Sequence, residues 1–128
     1  MRLNQVTVPL LDYEASVSFY QVLGLKLIVA SPPHYARFEC PDSDGGEPAT
    51  FSLEKVEGWG GGAWPEVFFE VDDIDSEVAR LRASGLIVSD PVDQSWLWRE
   101  ADLLDPAGTR IKLYQAGANR RFPPWRVV

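Results

Sequence analysis

Residues 66–86 read EVFFEVDDIDSEVARLRASGL, and the same plan occurs once earlier in the chain: Gln5 aligns with Glu66, Asp12 with Asp73, Gly24 with Gly85 and Leu25 with Leu86 at one constant offset. Val67, Phe69 and Val71 alternate with Glu66, Phe68 and Glu70, the two-residue period of a strand with one apolar face and one face carrying carboxylates. Ile74, Val78 and Leu81 then recur at helical spacing. Asp73 or Asp75 can accept from the open amides of the first helical turn, and Gly85 supplies the left-handed residue that ends a helix. In the earlier copy Asn4, Val6 and Val8 alternate with Gln5 and Thr7, Asp12 is the cap, Ser16, Phe19, Tyr20 and Leu23 form the inner stripe, and Gly24 is the stop. One module is written twice, and a repeat on this scale decides the fold.

Working outward, residues 25–30 (LKLIVA) predict a strand closed by Ser31-Pro32-Pro33, and residues 34–40 predict a second, with Tyr35, Arg37 and Glu39 on one face. Residues 41–48 (PDSDGGEP) have the composition of a hairpin tip, and residues 49–56 predict a third strand. That completes a β-α-β-β-β module over residues 3–56. The glycine-rich stretch 57–65 (EGWGGGAWP) is a linker, flexible enough to let the second module dock on its own chain or on another. The second module, residues 66–115, repeats the plan with strands over 86–92, 96–103 and 109–115 and a DPAG turn at 105–108. Residues 116–128 are expected to be an extended tail bearing Arg120, Arg121 and Arg126.

At 128 residues the chain is the length of one domain, and 45% hydrophobic content without a long apolar run predicts a soluble globular protein. Residues 1–10 lack the basic start and apolar centre of a signal peptide, and no stretch is apolar enough to span a membrane. The single cysteine, Cys40, cannot form an internal disulfide, which suits a cytoplasmic location. A net charge of −7 argues against nucleic acid or an anionic membrane as partner and favours a small molecule.

Two β-α-β-β-β modules, a glycine-ended helix in each, a VDD turn before the second helix and a DPAGTRIKLYQ closing strand together resemble the vicinal oxygen chelate superfamily, the glyoxalase, bleomycin-resistance and extradiol-dioxygenase group. The resemblance implies an α+β fold of two curved sheets around a cleft lined by the first and last strands of each module. It also implies a homodimer, since many members of this size build their clefts from both subunits. Members that use a divalent metal take its ligands from those strands, and the resemblance places the four positions at Gln5, Ser52, Glu66 and Lys112. Gln5 and Glu66 are acceptable oxygen donors; Ser52 is a poor one, and an ammonium at Lys112 has no lone pair and repels a cation. No metal and no cofactor are therefore expected. Lys112 is expected instead to take the place of a metal and neutralise Glu66. His34 is expected to be an exposed loop side chain.

On the predicted strand 96–103, Trp96, Trp98, Glu100 and Asp102 share one face, which the family pattern turns towards the cleft. Phe68, Tyr114, Tyr35 and Trp59 or Trp64 add to an aromatic lining that suits a flat or cationic organic ligand. The alternative is that some of these tryptophans only fill the core or a subunit interface. The polar floor is assigned to Gln5, Glu66, Lys112 and Arg110, and the walls to Phe68, Trp96, Trp98 and Tyr114. Three functions follow. The first is sequestration of a small, partly aromatic molecule. The second is an enzyme (lyase, isomerase or dioxygenase) acting on a small carbonyl or vicinal-oxygen substrate. There Glu66, with Glu70 or Glu100, acts as base and Lys112 or Arg110 stabilises an enolate. The third is an interaction module whose working part is the arginine tail.

Overall fold

Two aspartates start the two helices. In the computed structural model, which describes residues 2–41, 45–62 and 64–127, Asp12 accepts from the Ala15 amide at 3.0 Å and Asp73 from the Ser76 amide at 3.2 Å. Each is an N-cap satisfying an amide that the helix cannot reach. Residues 42–44 of the predicted hairpin tip, residue 63 of the linker and residues 1 and 128 lie outside the described residues. The chain forms two compact units, Met1–Gly62 with Asp105–Thr109, and Ala63–Leu104 with Arg110–Val128.

The first unit runs β1 (Gln5–Leu10), α1 (Tyr13–Leu23), β2 (Lys26–Ser31), β3 (Tyr35–Glu39) and β4 (Thr50–Lys55), with sheet order β1-β4-β3-β2. β1 lies parallel to β4, and the other pairs are antiparallel. Helix α1 stops at Gly24, whose φ of 114° lies in the range that a side chain disfavours. Gly24→Ala is therefore expected to cost about 1–2 kcal/mol of stability in a denaturant titration, although a Cβ there would meet no neighbour within 4 Å.

Val8, Leu10, Ala36, Phe38, Phe51 and Leu53 are buried, and alternation puts them on one sheet face with Phe19 and Tyr20 of α1. The Tyr20 ring lies 4.6 Å from Phe51 and 5.0 Å from Phe19, a cluster whose pairs each contribute about 0.5–1.5 kcal/mol beyond area burial. Its hydroxyl donates to Asp105 Oδ2 at 2.7 Å, and burial, followed by the Asp105 charge, pushes the phenol well above its usual range. Asp105 Oδ1 accepts from the amides of Ala107 and Thr109, so one buried carboxylate fixes the DPAG turn.

The second unit runs β5 (Glu66–Glu70), α2 (Ile74–Ala83), β6 (Val92–Asp93), β7 (Arg99–Leu104) and β8 (Arg110–Gln115), with sheet order β5-β8-β7-β6. Ile74, Val78 and Leu81 of α2 are buried, as are Ala101, Leu103, Ile111 and Leu113 of the sheet. The Arg99 guanidinium forks onto Asp75 of α2, and this hydrogen bond holds the Asp75 carboxyl below its usual range.

Three expectations are corrected. The strand predicted over 86–92 shrinks to Val92–Asp93, because Pro91 has no amide to donate and the Val88 carbonyl is taken by Arg82. The strand predicted to start at Trp96 starts at Arg99; Gln94 to Trp98 form a tight turn with Leu97 at φ 67°. The tail is not extended throughout, since Gly117–Arg120 form a 3-10 turn. His34 is exposed, as expected, in the turn between β2 and β3.

Candidate functional site

The candidate site is built on the second sheet, on the face opposite α2. Cα partners share a face, so the register Glu66↔Arg110, Phe68↔Lys112 and Glu70↔Tyr114, with Glu100↔Tyr114 and Asp102↔Lys112, puts these eight side chains on one surface. Eight of the nine candidates from the sequence fall here or at its margin on β5, β7 and β8, or in the turn entering β7: Glu66, Phe68, Trp96, Trp98, Glu100, Arg110, Lys112 and Tyr114. Gln5 belongs to the first sheet, where it accepts from Thr50 Oγ1 at 2.7 Å.

Three aromatic rings make the apolar part. Trp98 and Tyr114 stack with centroids 4.5 Å apart and planes 19° from parallel, and Phe68 meets both edge-on at 6.1 and 5.8 Å. Tyr114 is buried and its phenol is raised by that burial, then by the Glu70 charge, against a smaller lowering from Arg120. Phe68 keeps 41% of its surface exposed. Trp98 Nε1 donates to the Asn119 carbonyl, so the 3-10 turn of the tail holds the stacked ring in place. Although β7 starts only at Arg99, the Trp98 ring still reaches the cluster.

Beside the rings lies a charged row. Lys112 Nζ donates to Asp102 Oδ1 at 2.7 Å and sits 3.4 Å from Glu100 Oε1, while Glu100 Oε2 accepts from Trp96 Nε1 at 2.7 Å. Glu100 is 4% exposed, so its charge depends on these partners. Burial works against the Lys112 ammonium, but the hydrogen bonds and charges of Asp102 and Glu100 outweigh it and hold the amine above its usual range. Lys112 was expected to neutralise Glu66, and the structure assigns it other partners. The hairpin across the Asp105–Thr109 turn sets Lys112 opposite Asp102, whereas Glu66 faces Arg110 at 4.0 Å. Glu70 is 3.6 Å from Arg120.

Of the four positions that the resemblance implies for a metal, Ser52 is fully buried and hydrogen-bonded to Tyr35, Gln5 accepts from Thr50, Lys112 presents an ammonium, and Glu66 faces Arg110. Among the described residues no three His, Cys, Asp or Glu side chains come together as a metal site. Sequence reasoning missed the role of Asp102 as the partner of Lys112 and the role of Asp105 as the anchor of the turn. It also missed the polar chain Arg37–Tyr35–Ser52 on the first sheet. Trp59 is half-buried and Trp64 is 75% exposed.

With paired β-α-β-β-β modules and this strand order in place, the chain belongs to the Glyoxalase/Bleomycin resistance protein/Dioxygenase superfamily, whose sequence pattern matches residues 2–113. It is similar to a glyoxalase/bleomycin resistance protein/dioxygenase from Nocardioides, at 23% identity over 100% of this chain and 90% of that one, with a TM-score of 0.77. TnmS3, an antibiotic binding protein from Streptomyces, is 26% identical over 91% of this chain and 96% of its own, with a TM-score of 0.69. A bleomycin-binding protein complexed with bleomycin is 18% identical over 90% and 98%, with a TM-score of 0.72. No curated protein matches the chain by sequence. No helix among the described residues is long and apolar enough to cross a membrane.

Proposed function

We propose that the protein binds a small, partly aromatic organic molecule on the second sheet's face, with Phe68, Trp96, Trp98 and Tyr114 as apolar contacts and Glu66, Glu100, Arg110 and Lys112 as the polar ones. The observation that carries this proposal is the stacked Trp98–Tyr114 pair with a 41% exposed Phe68 at its edge, beside a row where carboxylates outnumber cations. A flat ligand gains ring contacts there, and a cationic one gains attraction from both the π faces and the acid excess. Similarity to TnmS3 points the same way. We further propose a cytoplasmic homodimer that works without a metal or cofactor and has neither nucleic acid nor membrane as partner.

Tryptophan fluorescence titrated with bleomycin and with the planar cation ethidium tests the binding. Saturable quenching is expected for at least one of them. Phe68→Ala is expected to weaken that binding about five- to tenfold while changing stability by about 1 kcal/mol, because the ring is already partly solvated. Quenching that never saturates, or equal affinity in the variant, would count against it.

The fixed ammonium of Lys112 favours a second reading, an enzyme of the same superfamily acting on a small carbonyl or vicinal-oxygen substrate. In it Lys112 stabilises developing negative charge and Glu66 moves the proton. Turnover that disappears in Glu66→Gln with the fold intact would select it over sequestration.

A further inference from the structure

The first sheet carries a polar chain that the ligand surface above does not use. Arg37 Nε donates to the Tyr35 hydroxyl at 2.8 Å, and that hydroxyl is hydrogen-bonded to Ser52 Oγ at 2.9 Å. Ser52 is fully buried on β4, and the guanidinium carbon lies 5.5 Å from the Tyr35 ring centroid. The arginine is thus fixed at one end by a hydroxyl that is itself anchored in the sheet. Its other end is open: among the described residues no acceptor takes the N–H groups of Nη1 and Nη2. Glu39 and Glu54 stand on the same face, yet neither forms an ion pair with it. A half-buried guanidinium left unneutralised in a chain of net charge −7 is a donor pair held ready for an acceptor.

We propose that Arg37, Tyr35 and Ser52 form a binding site for the carboxylate of a small organic acid. The two Nη groups present parallel N–H bonds to a planar carboxylate. Either hydroxyl of the Tyr35–Ser52 pair can be the donor. When Ser52 donates, both Tyr35 lone pairs are filled by Ser52 and Arg37, and the phenolic proton is free to make a third bond to the anion. The site goes beyond the aromatic surface of the second sheet and does not depend on it.

An NMR titration with sodium benzoate at constant ionic strength, observing backbone amides and the arginine Nε–H signals, tests this. Saturable shifts are expected at Arg37 Nε–H and at the amides of Tyr35, Arg37 and Ser52, with none from the neutral analogue benzamide. Affinity should fall at least about tenfold in Arg37→Gln and about two- to fivefold in Tyr35→Phe, and hold in Phe68→Ala. If Arg37→Gln does not fold, Arg37→Lys makes the same comparison, because an ammonium lacks the parallel donor pair. Shifts that do not saturate, shifts confined to Phe68, Trp98 and Tyr114, or undiminished binding by folded Arg37→Gln or Arg37→Lys would overturn the proposal.

Discussion

Asp105→Ala is expected to lower the free energy of unfolding by about 3–5 kcal/mol, read as a fall in the urea midpoint at constant slope. Asp105 is 4% exposed and accepts three hydrogen bonds, from the Tyr20 hydroxyl and from the amides of Ala107 and Thr109. Alanine leaves all three donors without that acceptor in a site that water does not reach freely. Tyr20→Phe removes only one donor and should cost about 1–2 kcal/mol. Burial of the same phenol, with the Asp105 charge and hydrogen bond behind it, sets an alkaline limit. The Tyr20 phenol is raised in the folded chain above the ordinary value near 10, so its contribution is complete below pH 10. Above that, unfolded chains shed a proton that folded chains keep, and stability declines with pH. Tyr20→Phe should flatten that decline, and a loss below about 1 kcal/mol in Asp105→Ala would mean that the turn does not rest on this carboxylate.

Lys112→Met is expected to cost about 2–4 kcal/mol, since methionine keeps most of the stem and removes the ammonium with its charge and its hydrogen-bond donors. Glu100 would then remain buried with Trp96 Nε1 as its one remaining partner among the described residues, and Asp102 would lose a 2.7 Å bond. The figure sits below that of a fully enclosed pair because the Lys112 side chain is 19% exposed and Asp102 is 61% exposed. Neutralising the stranded acid should help: Glu100→Gln in the Lys112→Met background is expected to regain more than about 1 kcal/mol, as a double-mutant cycle would measure. A cost under about 0.5 kcal/mol for Lys112→Met would place the ammonium in solvent and remove it from the polar row.

Much of this was legible in the sequence because the module is written twice. The offset that aligns Gln5 with Glu66 also aligned the two capping aspartates and the two positive-φ glycines, Gly24 and Gly85. Local patterns of that kind need no tertiary context. What escaped was register. Once the DPAG turn was seen, pairing Leu104 with Arg110 would have set Asp102 opposite Lys112 and Glu100 opposite Tyr114. Family slots pointed instead to Glu66. In the sequence Trp96 and Trp98 read as strand residues, because their alternation with Leu97 is perfect. Only the backbone reveals Leu97 at positive φ, a conformation that leucine rarely adopts and that nothing in its chemistry announces. Arg37 was legible as a face residue, but its open edge was not, because that depends on which acids fail to reach it.

On the proposed reading, the second sheet's aromatic and acidic face is where a small molecule binds. Crystals soaked with a panel of planar aromatic amines test it most directly. The claim requires ring density within van der Waals contact of Phe68 or Trp98, with the amine turned towards Glu66, Glu100 or Asp102. Fragments bound only elsewhere, with that face bare at saturating concentration, would contradict it.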